Sequence, residues 1–387
     1  MSEGKAASAG KVTGGKGSSQ GPFCMWQGME FPMFLKLLKM RPPMDWGQSA
    51  KIALTFAAGL NNSFLGFWEN LIYGRQIREH EVKQPVFILG HWRSGTTLLH
   101  NMLSSDPQFV TTDLYHVLGF PHFLLTRKVV TGLTGKFLPK TRPMDNMEVS
   151  WEAPQEDESI LCNETLLSPY LMVAFHNRRE IYQRYFDLLD LTPDEMRRWK
   201  AAFLLIMKKI TLKNNKIPLL KSPTHSYRVK TILEMFPQAK FINIIRNPYA
   251  VFPSTVHLRR QMFRENGFAK PNMEGVEEDL FLAYEQLFET LERDKKLLSP
   301  GQYIEMKYED FEQDILGELK KIYEHFQMPG WSDLEAIISP QIAGLKQYKK
   351  NEFKMEESLK RQIYERCKPV FEKYGYPSLL DEPAQVA

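Results

Sequence analysis

Apolar residues fall along the chain in two periods. PVFIL at Pro85–Leu89, IPLLK at Ile217–Lys221 and KFINII at Lys240–Ile245 are short continuous runs of the kind found in strands buried on both faces. Between and after them the spacing becomes helical. Leu98, Leu99, Met102 and Leu103 share one face behind the first run, and Val229, Ile232, Leu233 and Phe236 share one behind the second. The order strand, turn, helix, strand from Ile217 onward is a βαβ unit, which builds parallel sheet and places ligands outside the carboxyl ends of its strands. YIEMKYED predicts a further strand, with amphipathic helices at about 310–327 and 355–374 after it. A helical preface covers about 29–81.

The pattern predicts an α/β protein: a P-loop-like three-layer fold with a central parallel sheet flanked by helices, plus an N-terminal helical extension. The expected boundaries are a disordered tail at 1–25, the extension at 26–82 and the main domain at 83–380. The most apolar window of the extension, Ala50 to Gly74, is broken by Asn61, Asn62, Ser63 and Glu69, and falls short of the roughly 20 residues of a membrane span. It predicts a pair of core-facing helices. The second reading is a peripheral membrane contact through its Phe and Trp side chains.

Composition changes this picture little. The 387 residues are 43% hydrophobic, enough for a large core, and the formal charge of +4 is too small to argue for nucleic acid as a partner. Cys24, Cys162 and Cys367 lie too far apart for a metal motif or a disulfide framework, which suits a reducing, cytoplasmic setting. The first 22 residues lack the apolar core of a signal peptide.

The chemistry concentrates in ILGHWRSGTTLLH. Gly90 and Gly95 have the GxxxxG spacing of a loop whose backbone amides hold an anion at a helix N-terminus. Thr96 stands where a nucleoside triphosphatase has its lysine, and the strand FINII ends in Arg246 rather than a magnesium-binding acid. The basic residue has moved into the loop as Arg93, beside the donors Ser94, Thr96 and Thr97. A cage of this kind suits a transferred group of low charge such as sulfuryl, with no metal expected. Arg246 and Ser254, eight residues apart, would meet at a second phosphate if the stretch between them is helical. Two anion sites on one sheet edge imply a nucleotide with phosphates at both ends. The competing readings are a small-molecule kinase with a degenerate phosphate loop, and a non-catalytic nucleotide-binding or membrane-surface protein.

RSGTT after a strand, then KSP, FPQAKFINIIRNPYAVFPS, YED and YGYP, in this order over residues 84–375, resemble the sulfotransferases that use 3'-phosphoadenosine 5'-phosphosulfate. ILGHWRSGTTLLHNMLSSDPQF and APQEDE are similar to a bacterial and algal branch of that family. The resemblance implies that Arg93, Ser94, Gly95, Thr96 and Thr97 hold the 5'-phosphosulfate and that Arg246 and Ser254 hold the 3'-phosphate. It also implies in-line transfer to an acceptor hydroxyl, with Arg93 and Lys221 stabilising charge on the bridging oxygen. The histidine that relatives carry after the KT motif falls here on Pro223, so the base must lie elsewhere. Glu156 is the first candidate, with Asp157, Glu158, Asp113, His116 and His225 behind it. The RKGxxGxW segment of many relatives is absent, and Tyr348, Lys349 and Lys350 stand in the comparable region as candidates to cover the nucleotide. LYHVLGFPHFLL and LLSPYLMVAF predict an apolar pocket wall suited to a lipid, a phenol or sterol, or a stacked carbohydrate as the hydroxyl acceptor.

Overall fold

In the computed structural model, residues 24–135, 150–345 and 355–380 are described. The elements follow in the order α1 (Phe31–Lys39), α2 (Ser49–Glu79), β1 (Val86–Leu89), α3 (Thr96–Ser104), β2 (Phe109–Val110), α4 (Leu114–Gly119), α5 (Phe123–Thr134), α6 (Glu158–Thr165), α7 (Arg179–Tyr182) and α8 (Pro193–Thr211). Then come β3 (Ile217–Lys221), α9 (Val229–Met235), β4 (Lys240–Ile245), α10 (Pro248–Asn266), α11 (Val276–Asp294), β5 (Tyr303–Lys307), α12 (Tyr308–Gln313), α13 (Ile315–Phe326), α14 (Trp331–Leu345), α15 (Glu357–Arg366) and α16 (Lys368–Tyr374).

Alternation along the strands builds the layers. Phe87 and Leu89 of β1 point into one apolar cluster with Phe203 of α8, Ile232 of α9 and Leu291 of α11. Val86 and Ile88 point into the other, with Leu99 and Leu103 of α3 and Leu319 and Ile322 of α13. A strand covered on both faces cannot alternate apolar with polar, which is why the strand sequences read as continuous apolar runs. All strand pairs are parallel, in the order β2-β3-β1-β4-β5, with Ile88 opposite Lys221 and Ile242, and Ile245 opposite Lys307. The carboxyl ends of β1, β3, β4 and β5 therefore share one edge, and the chain reverses its direction of travel across the sheet at β1. Ligands of open parallel sheets bind at such a point.

Four expectations are corrected. The 50–74 window is one continuous helix rather than a pair, because the residues expected to break it are used: Asn62 donates to the carbonyls of Gln27 and Met29 at 2.8 Å, and the Ser63 hydroxyl accepts from Phe31 N at 2.9 Å. Apart from Ile52, its large apolar residues also turn away from the core; Phe64, Phe67 and Leu71 are exposed. Cys24 and Met25 belong to the packed core, so the expected tail is two residues too long, and residues 1–23 of it lie outside the described residues. The helices expected at about 310–327 and 355–374 are each broken in two, at Asp314, whose side chain accepts from Gly317 N, and at Cys367, before Lys368-Pro369 restarts the helix. Trp26 is fully buried, and its indole donates to Asn266 O at 2.6 Å, which ties the start of the extension into the main core.

Candidate active site

The loop after β1 is held by backbone conformations that few residues adopt. Gly90 has φ 139°, Arg93 φ 67° and Gly95 φ 102°, all in the left-handed region. Glycine is required twice for space as well: a Cβ on Gly95 would lie 2.2 Å from the Tyr308 ring, and one on Gly90 2.6 Å from Ile244 O. Gly90 N donates to Ser226 Oγ at 2.9 Å, and the Ser94 hydroxyl donates to His91 O at 2.8 Å. The turn delivers the amides of Gly95, Thr96 and Thr97 to the N-terminus of α3, where no side chain caps them.

The two arginine constellations adjoin. Asn247 starts α10 by accepting from Tyr249 N at 3.0 Å, and the helix brings Ser254 back to the loop. Arg93 Nε donates to Ser254 Oγ at 2.8 Å, and Arg246 Nη1 donates to Arg93 O at 3.1 Å. The structure places Arg93, Arg246 and Ser254 in one chain of hydrogen bonds beside the N-terminus of α3. The Arg246 guanidinium lies 4.2 Å from the centre of the Tyr308 ring, the same ring that packs on Gly95. Arg246 and Tyr308 also line a cleft of about 360 Å³ with Asn247, Tyr249, Ala250, Glu309 and Glu312. Glu309 accepts from Asn247 N and from the Tyr376 hydroxyl, and Glu312 accepts from the Tyr308 hydroxyl.

On the other side of the loop, Lys221 at the end of β3 is almost fully buried. Its ammonium donates to Glu156 Oε1 at 2.7 Å and to Thr97 Oγ1 at 3.4 Å. Glu156 is carried by an irregular segment stitched to the residues after β2: Gln155 N donates to Thr112 O at 2.9 Å, and the Thr112 hydroxyl donates to Gln155 O at 2.7 Å. The second carboxylate oxygen of Glu156 accepts from the Tyr170 hydroxyl. A carboxylate, an ammonium and a helix N-terminus thus converge at the carboxyl edge of the sheet.

The other candidate bases take other positions. Asp157 and His225 pair with each other at 3.0 Å, and neither keeps any exposed side-chain surface; the His225 ring lies 5.2 Å from that of Phe87. Such burial leaves an acceptor no access to Asp157. Glu158 is equally buried, bound by Arg228 at 2.6 Å and by the hydroxyls of Ser168 and Thr224. His116 closes a capping box with Asp113 at the start of α4, and both bond to Arg127. Burial pulls the His116 pKa down, against the opposing pull of Asp113. Burial pushes Asp113 up, but the bonds and charges of His116 and Arg127 outweigh it and hold the carboxyl below its usual range. Two neighbouring histidines are kept neutral by burial, His100 with its pKa lowered to about 3 and His91 to about 4.

Tyr348, Lys349 and Lys350 lie outside the described residues. The expected pocket walls are largely core: Tyr115, Val117, Phe120, Phe123, Leu167, Leu171, Val173 and Phe175 are all buried in the main cluster. Tyr170 and Tyr308 escaped the sequence reading as site residues. Tyr308 was within reach of it, since the YED motif follows directly on a predicted strand. Tyr170 was not, because nothing in its apolar surroundings marks one hydroxyl as facing a carboxylate.

Comparisons with known proteins bear on the family and the fold. The Sulfotransferase family profile matches residues 85–333. The chain is 34% identical over 365 residues, 94% of each chain, to proteins of Mycobacterium bovis and Mycobacterium tuberculosis named omega-hydroxy-beta-dihydromenaquinone-9 sulfotransferase Stf3. Among solved structures, it is similar to sulfotransferase STF9 of Mycobacterium avium, with TM-score 0.67, 16% identity and coverage of 88% of this chain and 89% of that one. It is also similar to sulfotransferase STF1 of Mycobacterium tuberculosis, with TM-score 0.58, 16% identity and coverage of 86% and 89%. At that identity the solved structures speak for the P-loop-like fold, while the matched profile and the long curated alignment speak for kinship: the chain belongs to the sulfotransferase family.

Proposed function

We propose that the protein transfers the sulfuryl group of 3'-phosphoadenosine 5'-phosphosulfate to the hydroxyl of a lipid acceptor. The observation that carries the mechanism is the Lys221–Glu156 pair, 2.7 Å apart, with Lys221 reaching Thr97 at the head of α3. The amides at this helix N-terminus and the hydroxyls of Thr96 and Thr97 suit the phosphosulfate, with Ser94 fixing the turn through His91 O. Arg246, Arg93 and Ser254 suit the 3'-phosphate: two guanidinium forks and a hydroxyl are gathered within one chain of hydrogen bonds.

The step forms a bond between the acceptor oxygen and sulfur and breaks the bond between sulfur and the bridging oxygen of the donor. Glu156 takes the acceptor proton, and the electron pair of the broken bond stays on the bridging oxygen. Lys221 moves from Glu156 to that oxygen as charge builds there, which releases Oε1 for the acceptor hydroxyl; Tyr170 keeps Oε2 in place. A lipid acceptor is supported by the name of the 34% identical relatives, whose substrate is an omega-hydroxylated menaquinone.

Calorimetric titration with 3'-phosphoadenosine 5'-phosphate in EDTA tests the donor, beside ATP with magnesium. Metal-free binding that Arg93→Ala and Arg246→Ala each weaken by about tenfold or more, the scale of one charged hydrogen bond, is expected. A preference for magnesium ATP would overturn the reading. The sulfated donor offered together with a long-chain omega-hydroxy isoprenoid, a phenol and a sugar then identifies the acceptor class.

A further inference from the structure

Helix α2 is inside out. Apart from Ile77, the residues it buries are polar or small: Lys51, Thr55, Gly59, Asn62, Glu69 and Gly74. The residues it exposes include Phe56, Leu60, Phe64, Phe67, Trp68, Leu71 and Ile72. At about 100° per residue these seven fall within an arc of about 160°, and from Phe56 to Ile72 they extend about 24 Å along the axis. Phe64, Phe67 and Leu71 are 63%, 64% and 66% exposed.

The orientation is specified by the inward face. Glu69 pairs with Lys209 and accepts from Leu124 N at 2.7 Å, Lys51 donates to Gly267 O at 3.0 Å, and Asn62 holds the carbonyls of Gln27 and Met29. Turning the helix to bury its phenylalanines would strip Lys209 of its carboxylate and leave a buried charge unpaired, which is costly. The apolar face is therefore held outward by the fold itself. Exposed apolar surface of this extent on an otherwise well-packed protein marks an interaction site.

Charge decides the occupant. No charged residue occurs between Ile52 and Trp68, and the exposed basic side chains Lys36, Lys39 and Arg41 on one flank and Arg75 and Arg78 on the other frame the stretch. Residues 31–79, from the start of α1 to the end of α2, hold six basic side chains and three acidic ones. Arg75 shares its charge with Glu79. Trp46, 95% exposed, stands at the start of the helix, and tryptophan favours the boundary between headgroup and acyl chain. A second copy docked antiparallel along α2 would set one basic flank against the other. No described helix is long and apolar enough to cross a membrane. We infer that the outward face of α2 is a docking surface for an anionic phospholipid bilayer, lying in the interface plane with its basic flanks on the headgroups. The inference stands apart from the proposed reaction, because its test requires no turnover.

The test is flotation of the full chain with large unilamellar vesicles of phosphatidylcholine, with and without phosphatidylglycerol. It is run beside Phe64→Ser/Phe67→Ser/Leu71→Ser and Lys36→Glu/Lys39→Glu/Arg41→Glu, with thermal melting to confirm that both variants fold. The three apolar side chains are exposed in the folded protein, so the melt should hold. Partition onto the anionic vesicles is expected, with a blue shift of tryptophan fluorescence, a loss of about tenfold or more in the serine variant, and weakening by salt and by the glutamate variant. Failure of the wild-type chain to float, or equal flotation of the serine variant, would overturn the inference. So would a dimer that the serine variant abolishes without any vesicle binding.

Discussion

In the proposed transfer Glu156 takes the acceptor proton and Lys221 meets the bridging oxygen, and their substitutions should fail in different ways. Glu156→Gln keeps the shape and a hydrogen-bond partner for Lys221 but cannot take a proton. Its kcat is expected to fall by about 10²–10⁴ while bisphosphate affinity stays at the wild-type value. Lys221→Ala removes the group proposed to meet the bridging oxygen, so kcat should fall by about 10²–10³ and bisphosphate affinity should fall with it. Steady-state kinetics beside calorimetry separates the two, and wild-type kcat in Glu156→Gln would remove it as the base. At this scale the sequence was informative about residue types. Arg93, Arg246 and Ser254 stand out by spacing from a strand end, and the contact of Arg93 with Ser254 could only come from folding. Three adjacent acids, Glu156, Asp157 and Glu158, have the same chemistry in the sequence. The structure separates them by burial, giving Asp157 to His225, Glu158 to Arg228 and Glu156 to Lys221.

At the scale of elements, the loop between β1 and α3 works because two glycines let the backbone turn in a space that side chains already fill. Gly95→Ala should cost about 1–3 kcal/mol of stability through its left-handed φ, the scale of one strained residue. The Cβ, placed 2.2 Å from Tyr308, should also push the loop off the Arg246–Tyr308 stack and lower bisphosphate affinity by about tenfold or more. Thermal unfolding with calorimetry on the same variant checks both, and an unchanged affinity would show that the loop tolerates the shift. Strands and their connecting helices were legible because a sheet covered on both faces leaves uninterrupted apolar runs. Helix breaks were less so: Asp314 and Cys367 end helices whose apolar spacing continues past them.

For the whole molecule, the N-terminal segment is part of the core. Trp26 is fully buried against Phe268 and bonded to Asn266 O, so Trp26→Ala should destabilise the protein by about 3–5 kcal/mol in chemical denaturation. A change under about 1 kcal/mol would mean that the segment folds apart from the sheet. The strands and the parallel sheet they form, the phosphate-type loop without a Walker lysine, and the arginine and serine beyond β4 can all be read from the amino-acid order. Each of these rests on local period or on fixed spacing from a turn. Which acid meets Lys221, which aromatic segments become core rather than pocket wall, and which way α2 faces emerge only when the chain packs. Periodicity gives a helix an apolar stripe but no direction; here buried Glu69, Lys209 and Asn62 set the direction, and they found their partners only when distant parts of the chain came together.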